Sequence, residues 1–319
     1  MELAQVLDSL RVIQLPMRTK FRGITTREVA LFQGSNGWGE FSPFLEYDDN
    51  EAAKWLKSGV EAAGGAEFPS YRDSIKVNGT IPATDSVAEI NSLVNSYPGV
   101  SVFKVKVGSG IEADIKRLKA VKGVAPSAKI RIDVNGSWSV AEAERNIKAI
   151  MDQIGALEYV EQPVSDFESL QELKRKLNGE VLIAGDEVIR KSQDPMKLDL
   201  LSAIDILMLK VAPLGGIERS LEIANHHKLP IVVSSALESA VGISHGLRLA
   251  AALPNLDYAS GLATGALFES DLATHEIRSG EIKVKEIEPN RDALVRFAAP
   301  KERLEWWRQR IKNCWEVLA

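Results

Sequence analysis

The amino-acid sequence predicts a (β/α) barrel preceded by a small α+β capping domain. Short β-branched runs end at nearly constant intervals along the middle of the chain, at Lys106, Asp133, Glu161, Asp186, Lys210 and Ser234. The intervals are 27, 28, 25, 24 and 24 residues, and each has room for one strand, one helix and two short loops. With one run near 77–82 and another at 256–260, the pattern supplies the eight strands that close a barrel.

The beginning and the end of the chain do not follow this interval. Apolar segments near 10–15, 28–32 and 38–41, followed by an amphipathic stretch over 51–63, predict an α+β unit. After about residue 274 a helical stripe predicts a helix that packs on its own protein rather than on a partner, with Leu304, Trp307, Ile311, Trp315 and Leu318 as its apolar residues. We expect a capping domain over 1–76, supported by 275–319, and a barrel over 77–274.

Composition excludes several functional classes. The net charge of −5 comes from mixed acidic and basic residues, and no basic patch indicates nucleic-acid binding. No apolar run approaches the roughly 20 residues that span a bilayer, and the first residues lack a signal-peptide pattern. Cys314 is the only cysteine, which suits a reducing compartment, and we expect a cytoplasmic protein. The sequence does not specify an oligomeric state, and a monomer is the default expectation.

Three acidic residues end three successive predicted strands: Asp133, Glu161 and Asp186. Adjacent strands lie about 4.8 Å apart, so these carboxylates should converge at the carboxyl-terminal rim, where barrel active sites lie. A hard dication removes their mutual repulsion, and oxygen ligands favour Mg²⁺, with Mn²⁺ also acceptable. The alternative is that they cap helices or form salt bridges, but three on one regular interval favour a metal site.

Lysines end two other strands of the predicted barrel. Lys104 and Lys106 lie on one face of their strand because side chains alternate, and Lys210 ends a strand about four positions away. Lysine is among the residues least often buried, so inward lysines in apolar strands indicate chemistry rather than packing. A lysine acts as a base near neutral pH only if its pKa is lowered to about 7–8.

This set of residues resembles the muconate-lactonising subgroup of the enolase superfamily, with K-x-K on the second strand, metal-binding acids on the third to fifth and Lys on the sixth. The resemblance implies a TIM-like barrel in which Lys106 is the catalytic base and Lys104 tunes it and contacts the metal-bound carboxylate. It implies that Lys210 faces the other side of the substrate, as an acid/base or as a stabilising cation. Asn135 and Arg131 would orient the ligands and the lysine pair.

Four segments further resemble the o-succinylbenzoate synthase family: FRGITTRE (21–28), GWGEFSPF (37–44), SSALES (234–239) and GLATGALF (261–268). The resemblance implies a hydro-lyase acting on a small dicarboxylate, dehydrating 2-succinyl-6-hydroxy-2,4-cyclohexadiene-1-carboxylate to 2-succinylbenzoate in menaquinone biosynthesis. Loss of a proton and of hydroxide from one face requires one lysine, Lys106, to act first as base and then as acid.

Two further segments are candidates for contact with the substrate. Ser234, Ser235 and the backbone N–H groups before a helix predicted near 242–252 are expected to receive the succinyl carboxylate. The alternative is an ordinary strand-to-helix turn. Phe21 and Arg22, on a polar loop predicted over 17–26, are expected to close the mouth and exclude water, unless that loop is only a solvated basic segment.

Other functions fit parts of the same residue set. An N-succinylamino acid racemase would use Lys106 and Lys210 on opposite faces of its substrate, and a muconate cycloisomerase is a third possibility. Dipeptide epimerases of the subgroup carry D-x-D on the eighth strand. This sequence has SGLAT at 260–264 instead, which disfavours that activity. A metal-stabilised scaffold without activity should have lost at least one lysine or acid, and all six are present.

Overall fold

The computed structural model describes residues 1–319 as a capping sheet, a barrel and a C-terminal helix that returns to the cap. The first part contains α1 (Leu3–Ser9), β1 (Arg11–Phe21), β2 (Ile24–Gly34), β3 (Gly37–Phe41) and α2 (Asp49–Gly64). The strands form an antiparallel sheet in the order β1–β2–β3. The α+β texture predicted for this part is confirmed.

The β1–β2 connection differs from the polar loop predicted over 17–26. Both strands continue almost to the tip, leaving a two-residue turn in which Arg22 and Gly23 have positive φ angles of 48° and 85°. Two positive φ angles are those of a type I′ hairpin turn, whose twist matches paired strands. The polar residues of 17–26 suggested a loop because the hairpin extends beyond the core, where Arg18 and Lys20 are exposed and the β1–β2 register is interrupted between Pro16 and Phe21.

The barrel follows in chain order with alternating strands and helices. After β4 (Ser74–Lys76) come β5 (Gly79–Ile81), α3 (Val87–Asn95), β6 (Val102–Lys106), α4 (Ile111–Val124), β7 (Lys129–Asp133), α5 (Val140–Ile154), β8 (Tyr159–Glu161), α6 (Phe167–Leu177), β9 (Ile183–Gly185), α7 (Glu187–Arg190), β10 (Ile206–Lys210), α8 (Val211–Leu214), α9 (Ile217–His227), β11 (Ile231–Ser234) and α10 (Ala240–Ala252). Strands β5 to β11 form one parallel sheet in sequential order. The (β/α) barrel predicted from the interval is confirmed.

The eighth barrel strand, predicted at 256–260, is reduced to two residues. Ser260 bridges Val77 and Gly261 bridges Ser234, both in parallel, so these two residues close the sheet between its first and last strands. Pro254 has no amide hydrogen and Asp257 is a poor strand former, which explains why no regular strand forms here. A Cβ at Gly261 would collide with Ser234 Oγ, and glycine therefore permits this close approach.

The C-terminal part separates into two pieces. First, β12 (Ile277–Arg278) and β13 (Glu281–Lys283) pair with β4, whose residues lie at the end of the range predicted for the cap. Then α11 (Arg291–Arg296) and α12 (Lys301–Leu318) return to the cap. None of the helices is long and apolar enough to cross a membrane. The division of the chain at about residue 76 stays a prediction.

Helix α12 packs against the capping sheet and α2 through the predicted stripe, of which only Leu318 is exposed. Trp307 is fully buried, meets the ring of Phe41 edge-on at 5.5 Å and donates a hydrogen bond from Nε1 to Glu28 Oε2 at 2.8 Å. Arg303 Nη2 reaches the same carboxylate oxygen at 2.7 Å. The helix therefore packs on the sheet through apolar contacts and through the Glu28 carboxylate, which accepts hydrogen bonds from both Trp307 and Arg303.

Replacing Trp307 by alanine is expected to lower the free energy of unfolding by about 3–5 kcal/mol, because the substitution leaves a cavity and removes a donor from Glu28. Guanidinium denaturation followed by circular dichroism measures the loss. The neighbouring Trp306 is the matched control: its side chain is 38% exposed, and its replacement should cost less than about 1 kcal/mol. Equal losses in the two variants would contradict the described packing.

Candidate active site

The predicted acids and lysines meet at the carboxyl ends of the barrel strands. In the parallel register Lys106 on β6 pairs with Asp133 on β7, which pairs with Glu161 on β8. Asp186 directly follows β9, and Lys210 ends β10. Lys104 lies two residues before Lys106 and therefore on the same face of β6. The spacing of strand ends in the sequence therefore predicted the end of the barrel at which all six side chains lie.

Ion pairs connect these side chains into one network. Lys104 Nζ lies 2.8 Å from Glu161 Oε2 and 3.1 Å from Asp133 Oδ2. Lys106 Nζ lies 2.6 Å from the same Asp133 oxygen and also donates to Asn135 Oδ1. On the other side, Lys210 Nζ lies 2.6 Å from Asp186 Oδ2 and 3.9 Å from Glu161 Oε1. Three carboxylates and three ammonium groups therefore balance one another in charge.

Burial and mutual charge shift the pKa values in different directions. Burial lowers the pKa of Lys106, and Lys104 adds to this effect against the opposing charge of Asp133. Burial would also lower the pKa of Lys104, but Asp133 and Glu161 outweigh it and raise that pKa well above its usual value. For Glu161, burial and the charge of Asp133 raise the pKa to about 7. The two lysines of β6 thus differ in how readily they lose a proton.

The chemistry of the donors, but not their present arrangement, fits a divalent metal. The predicted ligands are three carboxylates, each at most 1% exposed, and such oxygen donors suit Mg²⁺. Asp186 Oδ1 is buried without a hydrogen-bond partner, although Arg190 Nε lies 3.3 Å away. No group of three or more His, Cys, Asp or Glu side chains is arranged as a metal cage. The ammonium groups of Lys104 and Lys210 lie between the carboxylates instead.

The network forms the floor of a cleft between the barrel and the β1–β2 hairpin. Phe21 and Arg22 line its mouth, where both were predicted. The Phe21 ring centroid lies 5.9 Å from Lys106 Nζ, and the Arg22 guanidinium packs 4.1 Å from the centroid of Phe44. The hairpin tip therefore reaches over the lysine on β6. That this hairpin closes during the reaction stays a prediction.

Ser234 and Ser235 also line the cleft, opposite β6 in the sheet order. Ser235 Oγ donates to Gly261 O at 2.8 Å and lies 2.9 Å from Thr264 Oγ1. That the backbone N–H groups after these serines and before the helix receive an anion stays a prediction, to which the first turn of α10 does not contribute. Its first amides are already bonded within the protein, Ala240 N to Asp271 Oδ2 at 3.0 Å and Gly242 N to Glu40 Oε2 at 2.9 Å.

Asn135 and Arg131, both predicted to orient the site, lie in different places. Asn135 accepts from Lys106 and donates from Nδ2 to Glu187 Oε1 at 3.0 Å, so it contacts the network directly. Arg131 is fully buried and donates to Glu158 Oε2 at 2.6 Å and to Asn78 Oδ1 at 2.9 Å. It makes no hydrogen bond with the predicted ligands or lysines, and therefore supports the barrel interior below them.

Several residues of the site were not singled out from the sequence. Glu187 and Arg190 follow Asp186 on one helical turn, and Arg190 Nη2 lies 3.1 Å from Glu187 Oε1. The acidic pair 186–187, followed by an arginine four residues after Asp186, is a local pattern from which Glu187 and Arg190 could have been predicted to lie in the site. Glu40 and Arg27 lie behind the cleft in segments quoted above for their family likeness, but nothing in the local pattern indicated contact with the barrel.

Comparison with known families defines the class of this protein. The model of the enolase N-terminal domain-like family matches residues 12–63, and that of the enolase C-terminal domain-like family matches residues 86–289. These ranges correspond to the cap and to most of the barrel described above. The fold is therefore that of an enolase-like barrel with its N-terminal cap.

Curated relatives narrow this class. The o-succinylbenzoate synthases of Mycobacterium tuberculosis and Mycobacterium bovis are 46% identical to the chain over 320 aligned residues, covering 99% of this chain and 96% of theirs. The o-succinylbenzoate synthase of Mycobacterium ulcerans is 45% identical with the same coverage. The chain belongs to the o-succinylbenzoate synthase family of the enolase superfamily.

Solved structures of the superfamily share the fold at low identity. Muconate lactonizing enzyme from Pseudomonas putida is 21% identical with a TM-score of 0.73, covering 91% of this chain and 98% of that one. N-succinyl Arg/Lys racemase from Bacillus cereus is 20% identical with a TM-score of 0.74, covering 91% and 97%. At this identity the two structures bear on the architecture alone.

Proposed function

We propose that the protein is a metal-dependent hydro-lyase that converts 2-succinyl-6-hydroxy-2,4-cyclohexadiene-1-carboxylate to 2-succinylbenzoate and water. The observation that carries the proposal is the network of three lysines and three carboxylates at the cleft floor, in a chain of this family. Dehydration of such a ring needs a base beside the carbon that bears the carboxylate and an acid beside the hydroxyl. The network contains groups that can act as this base and this acid.

Lys106 is the proposed base and acid. Its Nζ lies at the cleft floor beside Phe21, whereas Lys104 lies two residues deeper and has its ammonium between Glu161 and Asp133. Neutral Lys106 would take the proton from the carbon beside the carboxylate. The resulting ammonium would then give that proton to the hydroxyl leaving from the same face, so that water departs and the ring becomes aromatic.

The other two lysines are proposed to act through their charge. Lys210 approaches from β10, four places along the sheet from β6, and in this structure its Nζ lies 2.6 Å from Asp186 Oδ2. Its ammonium would face the opposite side of the ring, where positive charge stabilises the electron density that develops as the proton leaves. Lys104 would hold the substrate carboxylate from the side of β6.

Asp133, Glu161 and Asp186 are the proposed ligands of Mg²⁺, or of Mn²⁺. A bound dication would supply positive charge beside the substrate carboxylate as negative charge grows there. Its binding requires the carboxylates to exchange their lysine partners for the ion, which leaves Lys104 and Lys210 free to approach the substrate. The unpartnered Oδ1 of Asp186 supports this ligand set.

The assay for this function is aromatisation of the cyclohexadiene substrate, followed by ultraviolet absorbance with Mg²⁺ present. We expect turnover that stops when a chelator removes the ion and returns when Mg²⁺ is added in excess. The same protein sample should be tested for exchange of the α-hydrogen of N-succinylamino acids in deuterated water. Hydrogen exchange without aromatisation would contradict the proposal and support the racemase instead.

A further inference from the structure

A buried polar cluster joins the capping sheet to the barrel directly behind the cleft. Arg27 on β2 and Glu40 on β3 come from the cap, and they meet the loop between β11 and α10, which we call the 235–239 loop. Both cap residues are nearly inaccessible, with exposed fractions of 2% and 5%. Buried charges are costly unless they are fully hydrogen-bonded, so the partners of these two side chains determine whether the cluster is stable.

Glu40 fixes the start of helix α10. Its carboxylate accepts hydrogen bonds from Ser239 N at 3.1 Å, Ser239 Oγ at 2.5 Å and Gly242 N at 2.9 Å. Ser42 Oγ donates to it as well, at 2.6 Å. The N–H groups of the first helical turn have no partner within the helix, and a carboxylate satisfies them with charge-assisted bonds. A residue of the cap therefore determines where a barrel helix begins.

Arg27 holds the middle of the same loop. Leu237 is buried and has a φ of 67°, a left-handed conformation that is costly for a residue with a Cβ. Arg27 Nε donates to Leu237 O at 3.1 Å, and Arg27 Nη2 donates to Ser42 O. Such backbone conformations persist only where surrounding contacts enforce them, and they concentrate at functional sites.

The loop held in this way lines the same cleft as Lys106. Ser235, Ala236 and Leu237 all face the cleft. Ala236 N donates to Glu238 Oε2 at 2.6 Å, so the loop is constrained from within as well as from the cap. The conformation of the loop at Leu237 and Ser239 therefore depends on contacts with β2 and β3.

We propose that Arg27 and Glu40 are positioning residues for substrate binding. They hold the 235–239 loop in the one conformation that receives the second carboxylate of the substrate. This inference rests on the proposed function. It assigns to the inner strands of the cap a role in affinity that is distinct from the hairpin tip at the mouth.

The test is the variant Glu40→Gln, in which an amide NH₂ replaces one acceptor oxygen and opposes the donors of Ser239 and Gly242. We expect KM for the cyclohexadiene substrate to rise about tenfold while kcat changes less than about threefold, since Lys106 is untouched. Hydrogen exchange measured by mass spectrometry should accelerate in peptides covering 235–242 and not elsewhere in the barrel. Arg27→Lys, which keeps the charge but cannot reach both carbonyl oxygens, should shift KM in the same direction.

Ser139→Ala is the matched control because Ser139 caps helix α5 and its loss weakens a barrel helix away from the 235–239 loop. It should lower stability without changing KM. An unchanged KM in both Glu40→Gln and Arg27→Lys, with the wild type active, would overturn the positioning role alone. A wild-type protein that does not aromatise the substrate would overturn the proposed function, and loop exchange in the variants would still report whether the cap holds the loop.

Discussion

Replacing Lys106 by alanine is expected to lower kcat/KM for dehydration about 10⁴-fold, because one side chain supplies both the base and the acid. The barrel should remain folded, since Asp133 keeps Lys104 as a partner at 3.1 Å. Steady-state kinetics of aromatisation measure the loss, and circular dichroism with thermal unfolding verifies the fold. A variant that retains more than about a tenth of the activity would remove Lys106 from the mechanism.

Two further variants distinguish proton transfer by Lys106 from the effect of its positive charge. Lys106→Arg keeps a positive group at the cleft floor but cannot lose its proton near neutral pH, so it should be as inactive as the alanine variant. Lys129→Ala removes an exposed lysine from the opposite end of β7, where it pairs with Glu158, and should leave kcat/KM within about twofold. Activity in Lys106→Arg would mean that charge, and not proton transfer, is what this position supplies.

The variant Glu161→Gln is expected to weaken Mg²⁺ binding by at least about 100-fold. Loss of an outer-shell partner of a metal ligand already costs 10–100-fold, and here a proposed ligand loses its charge. Glu161 is fully buried, and its strand β8 lies between β7, which carries Asp133, and β9, which leads to Asp186. Isothermal titration calorimetry with Mg²⁺ in the absence of substrate measures the affinity, and turnover at fixed Mg²⁺ should fall in parallel.

Glu142→Gln serves as the control, because Glu142 caps helix α5 at the surface and its charge should not affect Mg²⁺ affinity. No heat of Mg²⁺ binding to the wild-type protein would contradict the proposed metal site. Unchanged affinity with lost turnover in Glu161→Gln would assign Glu161 to a different role, as the ion-pair partner that holds Lys104 at 2.8 Å.

The barrel and its charged rim were predictable because both follow from local periodicity. Strand ends recur every 24–28 residues, and parallel strands bring their carboxyl ends to one rim, so the positions of Asp133, Glu161 and Lys210 required no tertiary information. Helix α5, Val140–Ile154, likewise begins at a local signal, the capping box of Ser139 and Glu142.

The features that escaped prediction depend on residues far apart in the chain. Glu40 and Gly242 are 202 positions apart, and neither segment shows that the first caps the helix containing the second. The same distance explains why the sequence did not reveal that the α10 amides already had acceptors. Salt bridges of the three acids were considered only as an alternative, since acids at strand ends show proximity but not which partner each oxygen takes.

The return of α12 to the capping sheet has a consequence for exchanging parts between relatives. Trp307 and Arg303 complete a surface made by β2, so the cap is assembled from two stretches of chain with the whole barrel inserted between them. A single crossover that transplants the first 76 residues would separate this sheet from the helix that matches it. Chimeras that exchange the cap between relatives would therefore need two junctions, one before and one after the barrel. The capping sheet and helix α12 would then come from the same parent.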